Sequence, residues 1–217
     1  MKYKAIFFDW DGTLVDSTGR IVDSMQRASQ YVGMPPLSGQ AIRQIIGLGL
    51  PEALKTLWPD ITDEQLAVMV KEYSANFSHH SEVEADFYAH AKELLIELRE
   101  LGYQLAVATG KTRKGLDEML DGMQVRELFD TSRCADETSS KPDPHMLEEL
   151  LQELNINSSE ALMVGDTSFD LEMALAINMD SIGMSHGAHD DEVLLSCKPQ
   201  ALCHSLQDLL NWIKTNG

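Results

Sequence analysis

Short apolar runs that stop on a polar group recur along the 217-residue chain. Ala5–Phe8 ends in Asp9, residues 105–108 end in Thr109, and residues 161–164 end in Gly165 and Asp166. Runs of this kind, apolar at every position rather than at alternate ones, predict strands buried on both faces, as in a parallel sheet. Apolar residues at helical spacing follow or separate them over residues 91–101, 114–123, 146–154 and 169–177. The order is the βαβ alternation of an α/β protein with a doubly wound parallel sheet. Asp180–Met184 and Ala201–Cys203 predict further short strands.

Between Ser17 and Glu82 the pattern changes. Residues 20–32, 40–46, 51–58 and 63–77 read as amphipathic helices with no strand among them. This helical insertion leaves just after the first strand end, which places it to fold back over whatever that end carries. The expected organisation is a catalytic core of residues 1–16 and 83–217 with a small all-helical cap of residues 17–82. Residues 138–144, Thr-Ser-Ser-Lys-Pro-Asp-Pro, form a loop on turn chemistry.

Composition narrows the field. With 43% apolar residues the chain can bury a substantial core. Its formal charge of −18 argues against a nucleic-acid or anionic-membrane surface, because both need clustered Lys and Arg. Cys134, Cys197 and Cys203 are odd in number and lack metal-ligand spacing, so they read as small buried hydrophobes in a reducing compartment. Met1 to Lys4 runs straight into the first strand with no signal peptide, and no apolar stretch reaches membrane-spanning length. The expectation is a cytoplasmic protein, monomer or homodimer.

The strand ends carry the candidate chemistry. In the segment Phe8-Asp9-Trp10-Asp11-Gly12-Thr13, Asp9 can act as a nucleophile through a covalent aspartyl intermediate. Asp11 can protonate a leaving oxygen and then activate water. Asp166 and Asp170, four apart, lie at a strand end and in the first turn of the next helix. Alone they serve equally well as helix caps. Beside Asp9 and Asp11 they crowd carboxylates that cannot all stay ionised without a cation, and all-oxygen ligands favour Mg²⁺. Thr109 and Gly110 could present a hydroxyl and backbone N–H groups to an anion, although an ordinary N-cap at that helix is the simpler reading of the pair alone. Lys141, held by the prolines after it, could set a positive charge on a phosphate and on the nucleophile.

The four motifs in this order, Asp-x-Asp-Gly-Thr, strand-Thr-Gly, Lys-Pro-x-Pro and Gly-Asp-x-x-x-Asp, resemble the haloacid dehalogenase superfamily over essentially the whole chain. The resemblance implies a Rossmann-like core with a helical cap. It implies Asp9 as nucleophile, Asp11 as general acid/base, and Thr109 and Lys141 as phosphate ligands. Asp166 and Asp170 become metal-site carboxylates, with Asp9 and the backbone carbonyl of Asp11 completing the protein's share of the Mg²⁺ shell. Asp at position 11 points to phosphatase or phosphomutase, since the dehalogenases lack it and the transport ATPases carry Thr. Residues 183–189 resemble a late loop of phosphoglycolate-phosphatase-like members.

The expected activity is therefore Mg²⁺-dependent hydrolysis of a small phosphorylated metabolite. A phosphomutase of the β-phosphoglucomutase type would use the same motifs, and a non-catalytic phosphate-binding module is the third reading. Two further expectations concern the periphery. His186 and His189 read as structural loop residues, because no third soft ligand stands at metal spacing. In the cap, the glycine-bearing break of residues 46–51 could bring backbone N–H groups, or Arg43, over the site to bind substrate.

Overall fold

The computed structural model describes residues 1–217. The first apolar run forms β1 (Ala5–Phe8), every residue of it buried. The chain then makes β2 (Val15–Asp16) and enters the helices α1 (Thr18–Val32), α2 (Gly39–Arg43), α3 (Leu50–Leu57) and α4 (Asp63–Ala75). A π-helical turn (Asn76–His80) ends this stretch, and β3 (Asp86–Phe87) returns the chain to the sheet region. The remaining elements alternate: α5 (Ala91–Glu100), β4 (Gln104–Thr109), α6 (Arg113–Gly122), β5 (Thr131–Cys134), α7 (His145–Leu154) and β6 (Ala161–Gly165). They close with α8 (Ser168–Ala176), β7 (Asp180–Met184), α9 (Asp191–Ser196), β8 (Ala201–Cys203) and α10 (Leu206–Asn216).

Six strands pair in the order β5-β4-β1-β6-β7-β8, all parallel. Each side chain of β1 is covered because alternate residues face opposite layers. Ile6 and Phe8 join the larger apolar cluster, with Leu94, Leu98 and Leu209, while Ala5 and Phe7 join a second cluster with Met146, Leu150 and Met173. Burying each such large side chain contributes about 1.5–3 kcal/mol, which fixes the register of the central strand. The strand order reverses at β1, so the chain leaves β1 and β6 toward opposite sides. The crevice at their carboxyl ends is the usual ligand site of such sheets.

Helices α1 to α4 bury a third apolar cluster of their own, built on Met25, Ile42, Leu54 and Met69, and it reaches the main body at Ala188. The chain leaves for these helices through β2 and returns through β3, and the two strands pair antiparallel, Val15 with Phe87 and Asp16 with Asp86. Neither two-residue strand carries an apolar run, so the sequence pattern does not reveal them. The edge strand β5, Thr-Ser-Arg-Cys, escapes the pattern in the same way because only Cys134 in it is buried. The terminal helices α9 and α10 are likewise additions to the sequence reading. Cys134, Cys197 and Cys203 are all buried free thiols. No helix is long and apolar enough to cross a membrane.

Candidate active site

Asp9 follows the last residue of β1, and its carboxylate is 1% exposed. Lys141 reaches it from the loop before α7, its Nζ lying 2.8 Å from Asp9 Oδ1 and 2.6 Å from Asp170 Oδ1. The ammonium is the one cation against Asp9 Oδ1, and Asp9 Oδ2 has no hydrogen-bond partner. Burial pushes the Asp9 carboxyl well above the usual carboxylate range, opposed by Lys141 and reinforced by Asp170 and Asp166. Burial also works against the charge of Lys141, yet Asp170 and Asp9 outweigh it and hold its pKa above the ordinary value.

Asp166 sits just past β6 in a seat that the sequence only partly disclosed. Thr13 Oγ1 donates to its Oδ1 at 2.6 Å and the Ala188 N–H to its Oδ2 at 2.8 Å. Gly12, at φ +82°, brings the backbone against it, and a Cβ there would stand 2.2 Å from Asp166 Oδ2. Gly12 thus shapes the turn after β1 and admits the carboxylate. Burial, then the charge of Asp170, pushes Asp166 up to about 7. Asp170 caps α8 and also pairs with Lys141. Its Oδ2 accepts from Thr167 N–H and Oγ1 in a capping box for α8, and its Oδ1 holds Lys141.

Oxygens of Asp9, Asp166 and Asp170 all lie within 4.8 Å of one another. One ammonium cannot neutralise three buried carboxylates, and Asp9 Oδ2 lacks a donor, so these residues fit a hard divalent cation with oxygen ligands. The Asp11 carboxylate stands apart from this group. Its Oδ1 accepts from Ser17 Oγ at 2.6 Å and lies 3.1 Å from Lys111 Nζ. The sequence reading of Asp11 as a metal residue through its backbone carbonyl is thus separate from where its side chain goes.

Asp9 and Asp11 form part of the wall of a cavity of about 580 Å³ between the sheet edge and the helical segment. The opposite wall comes from Ile21, Met25, Ile45, Ile46 and Phe77 among others. Thr109 is buried at the end of β4, where its Oγ1 accepts from the Lys111 N–H at 3.2 Å. Gly110 lines the cavity, and the carbonyls of Leu48 and Gly47 come so near that a Cβ on it would stand 2.5 and 2.6 Å from them. The break at residues 46–51 therefore does lie over the sheet edge, and Gly49 N–H donates to Ser140 Oγ at 2.8 Å.

Arg43 is a correction. It is exposed, its guanidinium lies beside Gly39 of its own helix, and it does not line the cavity. It closes the last turn of α2, where a cation interacts favourably with the helix C-terminus. The basic groups on the cavity wall are instead Arg20, Lys71, Lys111 and Lys114. Lys111 Nζ lies 4.2 Å from the centre of the Phe77 ring and the Arg20 guanidinium carbon 5.1 Å from it. Such contacts contribute about 0.5–2 kcal/mol each, but a ring offers no lone pair to an N–H. Arg20 Nε is enclosed without a hydrogen-bond partner. A signal was present in the sequence. Arg20 stands in the first turn of α1, where the helix dipole disfavours a cation. His186 and His189 bind backbone: His186 Nε2 lies 3.0 Å from Thr13 O, and His189 Nδ1 accepts from Ser168 N–H at 3.0 Å.

An α/β sheet with a carboxylate cluster at its carboxyl edge, roofed by a helical insertion, defines a class of enzyme site. Residues 6–184 match the family described as haloacid dehalogenase-like hydrolase, and the chain belongs to that family. The chain is 32% identical to a probable phosphatase, IndB, of Dickeya dadantii, over 94% of this chain and 91% of that one. It is 28% identical to a phosphoglycolate phosphatase of Vibrio parahaemolyticus, over 99% of this chain and 97% of that one. The crystal structure of a hydrolase from Pseudomonas syringae superposes with a TM-score of 0.90 at 24% identity, covering 99% of each chain. The protein is a hydrolase whose relatives carry phosphatase names.

Proposed function

We propose that the protein is a Mg²⁺-dependent, phosphoglycolate-phosphatase-like enzyme that hydrolyses a small phosphorylated metabolite through an aspartyl phosphate on Asp9, with residues 17–82 acting as a cap. The observation that carries this reading is the pairing of two carboxylates on one cavity wall in different states. Asp9 is buried against Lys141 with its Oδ2 free of any hydrogen bond, whereas Asp11 is anchored through Oδ1 by Ser17 and Lys111.

A carboxylate oxygen without a donor, such as Asp9 Oδ2, keeps its lone pairs for attack. Asp9 forms a bond to phosphorus as the ester P–O bond breaks, and Asp11 delivers a proton to the departing alkoxide. Water then attacks the aspartyl phosphate while Asp11 takes its proton, which releases inorganic phosphate and restores Asp9. Lys141 supports both steps by placing a fixed cation beside Asp9 and the phosphoryl oxygens, with Thr109 and the backbone at Gly110 as further phosphate ligands and Gly12 opening the turn for them. Asp9, Asp166 and Asp170, with the Asp11 carbonyl, would hold Mg²⁺, which when bound screens the charge gathered on the phosphoryl group and the carboxylates. The cap excludes water from the first step and restricts which leaving groups fit.

The test is phosphate release from a panel of phosphoglycolate, sugar phosphates, nucleotides and pyrophosphate, each with Mg²⁺ and with EDTA. Mg²⁺-dependent release from a subset is the expected result. Interconversion of hexose 1- and 6-phosphates without free phosphate would instead establish the mutase. Failure of EDTA to lower the rate would remove the metal from the reading.

A further inference from the structure

The chain has 35 Asp and Glu against 17 Lys and Arg, so a basic side chain without a carboxylate is unusual in it. Of those that make no ion pair, Arg43, Lys55, Lys71, Lys92 and Lys198 are exposed, and only Arg20 is turned inward. It faces the cavity that Asp9 and Asp11 share, with an enclosed Nε lacking any acceptor. Two features keep it there. Phe77, from the far end of the helical segment, provides a ring for Arg20 and for Lys111 together. The start of α1 that carries Arg20 is itself tied to the site, because its N-cap residue Ser17 gives its hydroxyl to Asp11. Lys111 is already engaged by Asp11.

An inward, charged donor set beside an apolar wall is built for an anion that arrives with the ligand. The phosphoryl group itself belongs at Asp9 and Lys141. We propose, on the basis of the phosphatase reading above, that Arg20 binds a second negative group, a carboxylate or phosphate carried by the leaving alcohol. The enzyme would then select phosphate monoesters whose alcohol is itself an anion, and Arg20 is a specificity residue rather than a catalytic one. The cavity volume of about 580 Å³ leaves room for a spacer between the two charges along the apolar wall.

The test compares two readouts. Steady-state rates are measured on 3-phosphoglycerate, glycerol 1,3-bisphosphate and the neutral-alcohol ester glycerol 1-phosphate, for the wild type, Arg20→Gln and Arg20→Lys. Wild-type preference for a charged alcohol should fall about tenfold to hundredfold in Arg20→Gln through KM, the span of a lost charge-assisted hydrogen bond, and return in part in Arg20→Lys. Whichever of the carboxylate and phosphate esters loses more identifies the group bound. Calorimetric affinities for the same esters are measured in an Asp9→Asn background with and without Arg20→Gln, which reads the subsite without turnover. Equal losses on charged and neutral esters, or an unchanged affinity ratio, would overturn the assignment to Arg20. Absence of phosphate release by the wild type would defeat the phosphatase reading, and the affinity ratio would still decide on Arg20.

Discussion

The two walls of the cavity are built on opposite terms. On the sheet side every charged group is tied: Lys141 joins Asp9 and Asp170, Thr13 and Ala188 hold Asp166, and Ser17 and Lys111 hold Asp11. On the helical side Ile21, Met25, Ile45, Ile46 and Phe77 share the lining with the exposed Lys71 and with Arg20, which packs on the Phe77 ring and makes no ion pair. The sheet wall is a closed network in which each member depends on the others. The helical wall is a surface waiting for a complement. On the proposed function, reaction chemistry and substrate choice are housed in separately constrained layers, so substitutions in the two should fail in different ways.

The sharpest break of that contrast is Asp9→Asn. It should reduce phosphate release by about 10⁴-fold or more, the scale seen when a nucleophile is removed, while circular dichroism stays native. Near-normal turnover would sink the nucleophile assignment. Next comes Lys141→Ala, which leaves Asp9 and Asp170 buried without their cation. Breaking a buried pair in this way costs about 3–5 kcal/mol, so urea unfolding in EDTA should show a large loss and the sheet wall should fail through stability as well as rate. A loss under about 1 kcal/mol would mean that the network is not closed.

The third prediction concerns pH. Burial and Asp170 raise Asp166 from an ordinary 3.8 to about 7 in the cation-free protein. A carboxyl with a raised folded pKa is favoured in its protonated form on folding. Its contribution is therefore fully present below the unfolded value and is lost as pH rises through the folded one. In EDTA the Tm should fall as pH goes from about 4 to about 7, and Mg²⁺, which displaces the proton, should raise Tm more at pH 8 than at pH 5. Asp166→Asn should reduce that difference, with Asp9, whose pKa burial also raises, supplying the remainder, and an equal Mg²⁺ effect at both pH values would contradict the assignment. The smallest effect belongs to Arg43→Ala. Exposed and off the cavity, it should change KM by less than about twofold on any ester, within the range of an ordinary surface substitution. A tenfold rise would return Arg43 to the substrate wall.

The same division separates what the sequence discloses from what it hides. The sheet-side residues follow apolar runs that end abruptly, and a carboxylate placed just beyond a buried strand points to chemistry at the sheet edge. Asp9, Asp11, Asp166 and Asp170 were therefore legible, as were the central strands and the helical character of residues 17–82. Arg43 stands beside a glycine break, but the direction of a side chain on a five-residue helix depends on packing that no local pattern encodes. Arg20 and Phe77 lie 57 positions apart and meet only when the segment folds on itself. Ser17 stands at the N-cap of α1 but gives its hydroxyl to Asp11, a tertiary contact that overrides a local preference.

The pairing of β2 with β3 has a consequence for descent as well as for shape. The helical segment departs and returns on neighbouring strands, so its two ends are held about 5 Å apart by the host fold. A replacement piece of any length needs to meet only that spacing. Lineages could therefore exchange, shorten or rebuild the roof without disturbing the sheet below, and a chimaera joined at this rung keeps the closure geometry of the original.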